Sequence, residues 1–365
     1  MKILYVITST ETGGAEKALA QLVRVVSRQN TVKVVCLKPL GAVGHQLLKE
    51  GVDVVSLKMQ GAGLGTVSQI VRILADFQPD IVHALLFRAI EFSRLACAGR
   101  NIKLITTPHF DLSQKPGWMR GLDRILKSID TLSTAESIST YHYLLNKQHY
   151  RANKTILIGN SVEKSVFFQD KSLRQSMRKA YGFAEDACVF ISVARLAKVK
   201  NPLGLLHAFE KILPNCPQAR LVYVGEGEQR KSLEKEILER NLSANVLLAG
   251  EQNKVNSWLN MADVFVLFST EESLPMALLE AQQVGMPCVV SNVGDMPKQV
   301  EHGKNGFVCK TGDEMLLACL LTELYENAPL RQEMGAHALQ KSATIVDSSQ
   351  QYQQLYQQLL GKQAR

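Results

Sequence analysis

Short runs of β-branched and apolar residues alternate along this chain with longer stretches whose apolar positions recur at helical spacing. In the first half the short runs cover residues 2–7, 31–36, 52–56, 81–83, 103–107, 131–134 and 155–158. In the second half they cover 189–194, 220–224, 246–249, 264–268, 287–291 and 306–308. Strands separated by helical segments predict parallel sheets with crossover helices. The expected fold class is α/β, with two doubly wound domains.

Length agrees with this, because 365 residues exceed the usual size of one hydrophobic core. Residues 160–187 are polar and mixed in charge, as expected of a connection between domains, and place the boundary near Gln169. The predicted domains are therefore 1–168 and 169–345. The tail carries Tyr352, Leu355, Tyr356, Leu359 and Leu360 at helical spacing, which predicts an amphipathic helix over 346–362 with one buried stripe.

Composition narrows the class. Hydrophobic residues at 46% and charged residues at 21% exclude disordered and fibrous chains. Seven scattered cysteines without a C-x-x-C spacing read as reduced core residues. The apolar run 3–7 is too short for a signal-peptide core, and no stretch reaches the ~20 apolar residues that span a bilayer. A cytosolic protein, or one attached to the inner face of a membrane, is expected. Net charge is +8, and Lys plus Arg outnumber Asp plus Glu 21 to 12 over residues 1–168 against 21 to 22 over 169–365. A basic first half suits an anionic partner or serves solubility alone.

Three constellations carry candidate chemistry. Ser269-Thr270-Glu271-Glu272-Ser273-Leu274-Pro275-Met276 follows a strand and leads into a helix containing Glu280, with Pro275 expected in its first turn. A helix start offers amide N–H groups and the positive end of the helix dipole, an anion site. Glu272 and Glu280 bracket it and suit hydroxyl recognition. The alternative makes them a solvated loop residue and a surface helix residue. Arg195 and Lys200 lie five residues apart in the loop after another strand, a planar fork and a point charge suited to two phosphates. Gly13 and Gly14 open a helix after the first strand, which permits close approach of backbone to a phosphate. The G-x-G-x-x-G dinucleotide fingerprint is absent from that turn.

Taken together, Gly13-Gly14, the Arg195 to Lys200 pair, Val224-Gly225-Glu226-Gly227 and Glu272-x7-Glu280 resemble glycosyltransferase family 4 in the right order along nearly the whole chain. The resemblance implies the GT-B fold: two Rossmann-like domains facing across a cleft, with the C-terminal helix crossing back to the first. It implies a retaining transferase whose donor is a nucleotide-diphosphate sugar, UDP being the first expectation. Arg195 and Lys200 would hold the diphosphate. Glu280 would take the ribose, and Glu272 with Ser273, Leu274, Pro275 and Met276 the sugar. Gly13 and Gly14 would lie against the diphosphate or sugar, Gly225 follows a donor-side strand, and Gly250 and Glu251 would face the base. His109, in Thr107-Pro108-His109-Phe110-Asp111, stands where the family has its active-site histidine near the sugar's primary hydroxyl. Many members carry a glycine after the first Glu where this chain has Ser273-Leu274-Pro275, so sugar identity stays open. Ile81-Val82-His83-Ala84-Leu85 keeps only the first histidine of a commonly paired loop.

No D-x-D metal signature appears near a strand end, and no cofactor beyond the donor is expected. Residues 115–129 predict a helix with Arg120, Arg124 and Lys127 on one face and Leu122, Ile125, Leu126 and Ile129 on the other, with Trp118 and Met119 ahead. It reads as a lipid-facing segment beside a lipid-linked acceptor or as a core-facing helix with a solvated basic face. A glycan is the other acceptor class, in cell-surface polysaccharide or lipopolysaccharide assembly. Nucleic acid is not expected, because the basic half lacks interleaved aromatics. A nucleotide-sugar isomerase or hydrolase on the same fold, or a silent nucleotide-sugar-binding partner, are the competing readings.

Overall fold

The structure, a computed structural model, describes residues 1–61, 63, 65–109 and 116–361. Phe110, Asp111 and Lys115 of the expected motif and helix, and the last residue of the expected tail helix, lie outside the described residues. The chain divides into two compact units, Met1–Ser161 with Val346–Arg365, and Val162–Ile345.

The first unit is built on seven parallel strands: β1 (Lys2–Ile7), β2 (Thr31–Cys36), β3 (Asp53–Ser56), β4 (Ile81–Leu85), β5 (Lys103–Thr107), β6 (Leu132–Ala135) and β7 (Thr155–Leu157). Their order in the sheet is β3-β2-β1-β4-β5-β6-β7. Alternation along β1 explains why both faces are covered. Ile3, Tyr5 and Ile7 pack with Leu19, Leu22 and Val23 of the helix Gly14–Val26, while Leu4 and Val6 pack with Ile70, Leu74 and Ile90 on the other face. Such two-sided burial produces the near-continuous apolar runs of the sequence. The helix Ser348–Leu359 buries Tyr352, Leu355 and Tyr356 in the β1 cluster.

The second unit carries β8 (Cys188–Val193), β9 (Ala219–Val224), β10 (Val246–Gly250), β11 (Val264–Leu267), β12 (Cys288–Ser291) and β13 (Gly306–Cys309), all parallel, in the order β10-β9-β8-β11-β12-β13. Phe190, Leu221, Tyr223 and Val266 face one apolar cluster, and Ile191, Val222, Phe265 and Leu267 the other.

Four expectations need correction. The division between the units falls after Ser161, ahead of the boundary expected near Gln169. Phe167 packs on the second unit's core, and the Phe168 and Asp170 amides donate to the side chains of Asn256 and Asn260 at 3.4 and 2.7 Å. The polar stretch 160–187 is no mere connection, since it holds the helix Lys171–Ala180. Its Arg178 is fully buried and, with Arg174, grips Asp263 at 2.7 and 2.6 Å. Locally these arginines read as solvated charges, because their partner lies far along the chain.

The segment expected as one helix over 115–129 is the helix Gly117–Leu126 followed by a 3-10 turn, Lys127–Ile129. Its only buried helical residue is Asp123, whereas Trp118 and Ile125 are exposed. Asp123 turns inward because Arg94, fully buried, donates to it at 2.9 Å, to Glu91 at 2.8 Å and to Asp130 at 2.6 Å. Burial, only partly offset by Arg94, pushes the Glu91 carboxyl up to about 7. Last, six of the seven cysteines are buried as expected, but Cys319 is exposed.

Candidate active site

In the second unit the chain leaves β8 toward β9 and β10 on one side and returns as β11 on the other. Ligands of open α/β sheets collect at the carboxyl ends of the strands flanking such a switch point. The loop after β8 carries Arg195 and Lys200, and the loop after β11 carries Glu272. These loops are stitched together. Thr270 donates its amide and its hydroxyl to the Val199 carbonyl at 2.8 and 3.2 Å, and Lys200 Nζ forms an ion pair with Glu272 Oε1. Ser269 Oγ donates to the same carboxylate oxygen at 2.9 Å. The Glu272 side chain is only 8% exposed, so the pair is largely shielded from solvent.

Arg195 is exposed and, with Ala197, Lys198, Val199 and Glu228, lines a shallow depression. The turn after β9 supports its loop. Leu196 donates its amide to the Glu226 carbonyl at 2.8 Å and accepts from the Gln229 amide at 2.9 Å. Gly225 makes this approach feasible. Its φ of 143° and the collision that a β-carbon would have with the Ala194 carbonyl leave room only for glycine. Gly225 donates in turn to the Gly250 carbonyl at 2.8 Å, at the end of β10, and exposed Glu251 follows.

The helix after the Glu272 loop is Met276–Gln283. Pro275, expected inside the first turn, is instead its N-cap, with extended ψ of 131°. A proline there has no N–H to lose and no side-chain oxygen to cap with. Ser273, Leu274 and Pro275 are half-buried, and Met276 is buried. Glu280 is buried at 2% exposure, which rules out the surface-helix alternative. Gly294, at φ 57°, was not singled out from sequence. A β-carbon there would strike the Glu272 and Ser273 carbonyls, and the Asp295 amide donates to Ser273 O at 2.8 Å, so this turn clamps the Glu272 loop from beneath.

In the first unit Gly13, which has no side chain to cap with, is the N-cap and Gly14 the first residue of the helix Gly14–Val26. His109 lies two residues beyond β5, half-buried, with φ 54°. A left-handed conformation in a residue with a β-carbon is strained and persists where its surroundings impose it. Burial lowers its pKa. His83, the lone histidine of its loop, is fully buried. Its ring nitrogens lie 2.7 Å from the Tyr356 hydroxyl and 2.7 Å from Thr107 Oγ1. Desolvation pushes its pKa down to about 3, so it is neutral.

The structure thus joins Lys200 to Glu272, packs the Arg195 loop on Gly225, and places Glu280 in the helix that starts at the same loop. Residues 174–341 match the model of the glycosyl transferases group 1, and residues 12–166 match that of glycosyltransferase family 4. The chain belongs to the family 4 glycosyltransferases. It is similar to the N-acetyl-alpha-D-glucosaminyl L-malate synthase of Bacillus anthracis, at 29% identity over 72% of this chain and 69% of that protein. It is also similar to the UDP-Gal:alpha-D-GlcNAc-diphosphoundecaprenol alpha-1,3-galactosyltransferase of Escherichia coli, at 34% identity over 44% of this chain and 42% of that one. Among solved structures, Anabaena HepE in complex with UDP and glucose shares the fold with a TM-score of 0.87 at 22% identity, covering 99% of each chain. This family 4 member is accordingly a glycosyltransferase with a GT-B fold. Among the described residues, no helix is long and apolar enough to cross a membrane.

Proposed function

We propose that this enzyme transfers a hexose or N-acetylhexosamine from a nucleotide-diphosphate sugar, UDP by preference, to a glycan or lipid-linked acceptor in cell-surface polysaccharide assembly, with retention and without a metal. The Lys200–Glu272 pair across the β8–β11 switch point carries the reading. The hard step of glycosyl transfer is departure of the nucleoside diphosphate, which gains negative charge as the anomeric carbon becomes cation-like. Groups that meet that charge only as it develops lower the barrier. Lys200 supplies a cation, Arg195 a second from the exposed side of its loop, and the start of the helix Met276–Gln283 the amides and dipole. Glu280 binds the ribose. Glu272 orients Lys200 and meets the sugar together with Ser273 to Met276. Gly250 and Glu251 take the base. In the first unit, Gly13 and Gly14 serve the diphosphate and His109 the sugar. HepE is described with UDP and glucose, and the two curated relatives are named for N-acetylglucosaminyl and galactosyl transfer, which supports a UDP-hexose class.

The test is proton NMR of the fresh product, formed with EDTA present. The anomeric proton is expected to show the donor's configuration at undiminished rate. An inverted product would overturn retention, and activity restored only by magnesium would overturn the metal-free clamp.

We also propose that the helix Gly117–Leu126 meets an anionic membrane. Trp118 and Ile125, seven residues apart on one face, are 66% and 73% exposed. Arg124 and Lys127 do not extend freely beside them, since they donate to backbone carbonyls of Lys147, Gln148 and His149. The apolar pair therefore contributes most of the binding, with the basic unit adding attraction. Flotation with anionic vesicles at low salt should bring the protein to the lipid layer, and the double substitution W118S/I125S should leave it behind. Equal flotation of both proteins would remove the proposal.

A further inference from the structure

Beyond β6, the residue after Ala135 is a glutamate that no motif accounts for. Adjacent strands β5 and β6 pair Ile105 with Leu132 and Thr106 with Ser133. The next pair is joined as well, with Thr107 Oγ1 and Thr134 Oγ1 2.5 Å apart. His109 follows two residues after the end of β5 and Glu136 one residue after the end of β6, so both stand at the carboxyl edge of these adjacent strands. Glu136 is 3% exposed. One carboxylate oxygen accepts from Thr140 Oγ1 at 2.8 Å, and Thr140 Oγ1 in turn accepts from Ser137 Oγ, the N-cap of the helix Ile138–Asn146, at 2.9 Å. The second oxygen, Oε2, is buried with no hydrogen-bond partner among the described residues. A buried carboxylate held on one side and bare on the other is expensive unless something charged or hydrogen-bonding stands opposite.

We propose that Glu136 is a positioning residue for His109, its bare oxygen directed to the imidazole so that the ring keeps one orientation and a proton when substrate is bound. This rests on the reading that His109 meets the donor sugar. Among the described residues, the ionisable groups around His109 are Glu136 from the end of β6 and His83 from β4, with Tyr352 of the helix Ser348–Leu359 near Glu136. His83 is held neutral by burial, and the Tyr352 hydroxyl, its pKa raised to about 12, is neutral as well. Glu136 therefore provides the one negative charge among these groups, and it raises the His109 pKa against the burial that lowers it.

The experiment follows the His109 imidazole by 15N NMR titration of the full chain, assigned with H109Q, in wild type and E136Q. Glutamine keeps the size and the acceptor for Thr140 but loses the charge. Its expected effect is a downward move of the His109 midpoint, equivalent to at least a threefold larger acid dissociation constant at ~0.5 pH unit. The alkaline limb of the kcat profile, where the His109 proton is lost in the substrate complex, is expected to move down with it. An unmoved or raised midpoint overturns the proposal. If E136Q does not fold, E136D keeps the charge but draws it back by one methylene, and a smaller downward move is expected, while no move again overturns. Turnover unchanged in H109Q removes the sugar-facing role of His109 instead, whatever the midpoints do, so the two failures are distinguishable.

Discussion

Replacing Lys200 with alanine is expected to lower kcat by about 10²- to 10³-fold, the size of effect seen when a donor that meets developing charge is removed from an active site. Two physical terms act in the same direction. The cation facing the departing diphosphate is lost, and it counts chiefly in the transition state, so kcat suffers more than KM. Glu272, only 8% exposed, is also left with its charge uncompensated. That buried anion repels the incoming diphosphate and strains the loop that Thr270 and Ser269 hold. The double variant K200A/E272Q separates the terms. Removing the stranded charge is expected to restore part of the loss and leave the part due to the missing cation. The check is steady-state kinetics with the preferred donor. A turnover unchanged in K200A would sink the assignment of Lys200 to the diphosphate.

Glu280 should behave differently. Its carboxylate sits at 2% exposure in the helix that begins beside the same loop, so hydrogen bonds to a ribose would form in a dry setting. Losing a hydrogen bond to a charged group costs about 1.5–3 kcal/mol, which weakens donor binding by about 10- to 160-fold in E280A. Ribose contacts are the same before and during reaction, so KM for the donor is expected to rise while kcat changes little. Calorimetric titration of the nucleoside diphosphate checks this directly. Equal affinity in E280A and wild type would remove Glu280 from the donor site.

The contrast between these residues and those found only in the structure shows what a single sequence carries. Strands were readable because both faces of each sheet are covered, which writes apolar residues at nearly every position of β1, β4 and β8. The loops at the switch point were readable because chemistry there sits within a few residues of a strand end. Arg94 with Asp123 and Asp130, and Arg178 with Asp263, were not readable, because each of these charges finds its partner far along the chain and looks locally like a solvated side chain. The helix Gly117–Leu126 misled for the same reason, since Asp123, polar by pattern, is the residue turned inward. Glu136 left one faint mark in the chain. A carboxylate directly between the end of a strand and an N-cap serine is placed where ligands meet α/β sheets, and that position alone singles it out.

The helix Ser348–Leu359 belongs to the first unit although the whole second unit precedes it in the chain. A polypeptide that grows from its N-terminus completes residues Val162–Ile345 while β1 still lacks the covering of Tyr352, Leu355 and Tyr356. Domains generally mature as units in the order of synthesis. Here that order is reversed, and the half made first is the last to close its core.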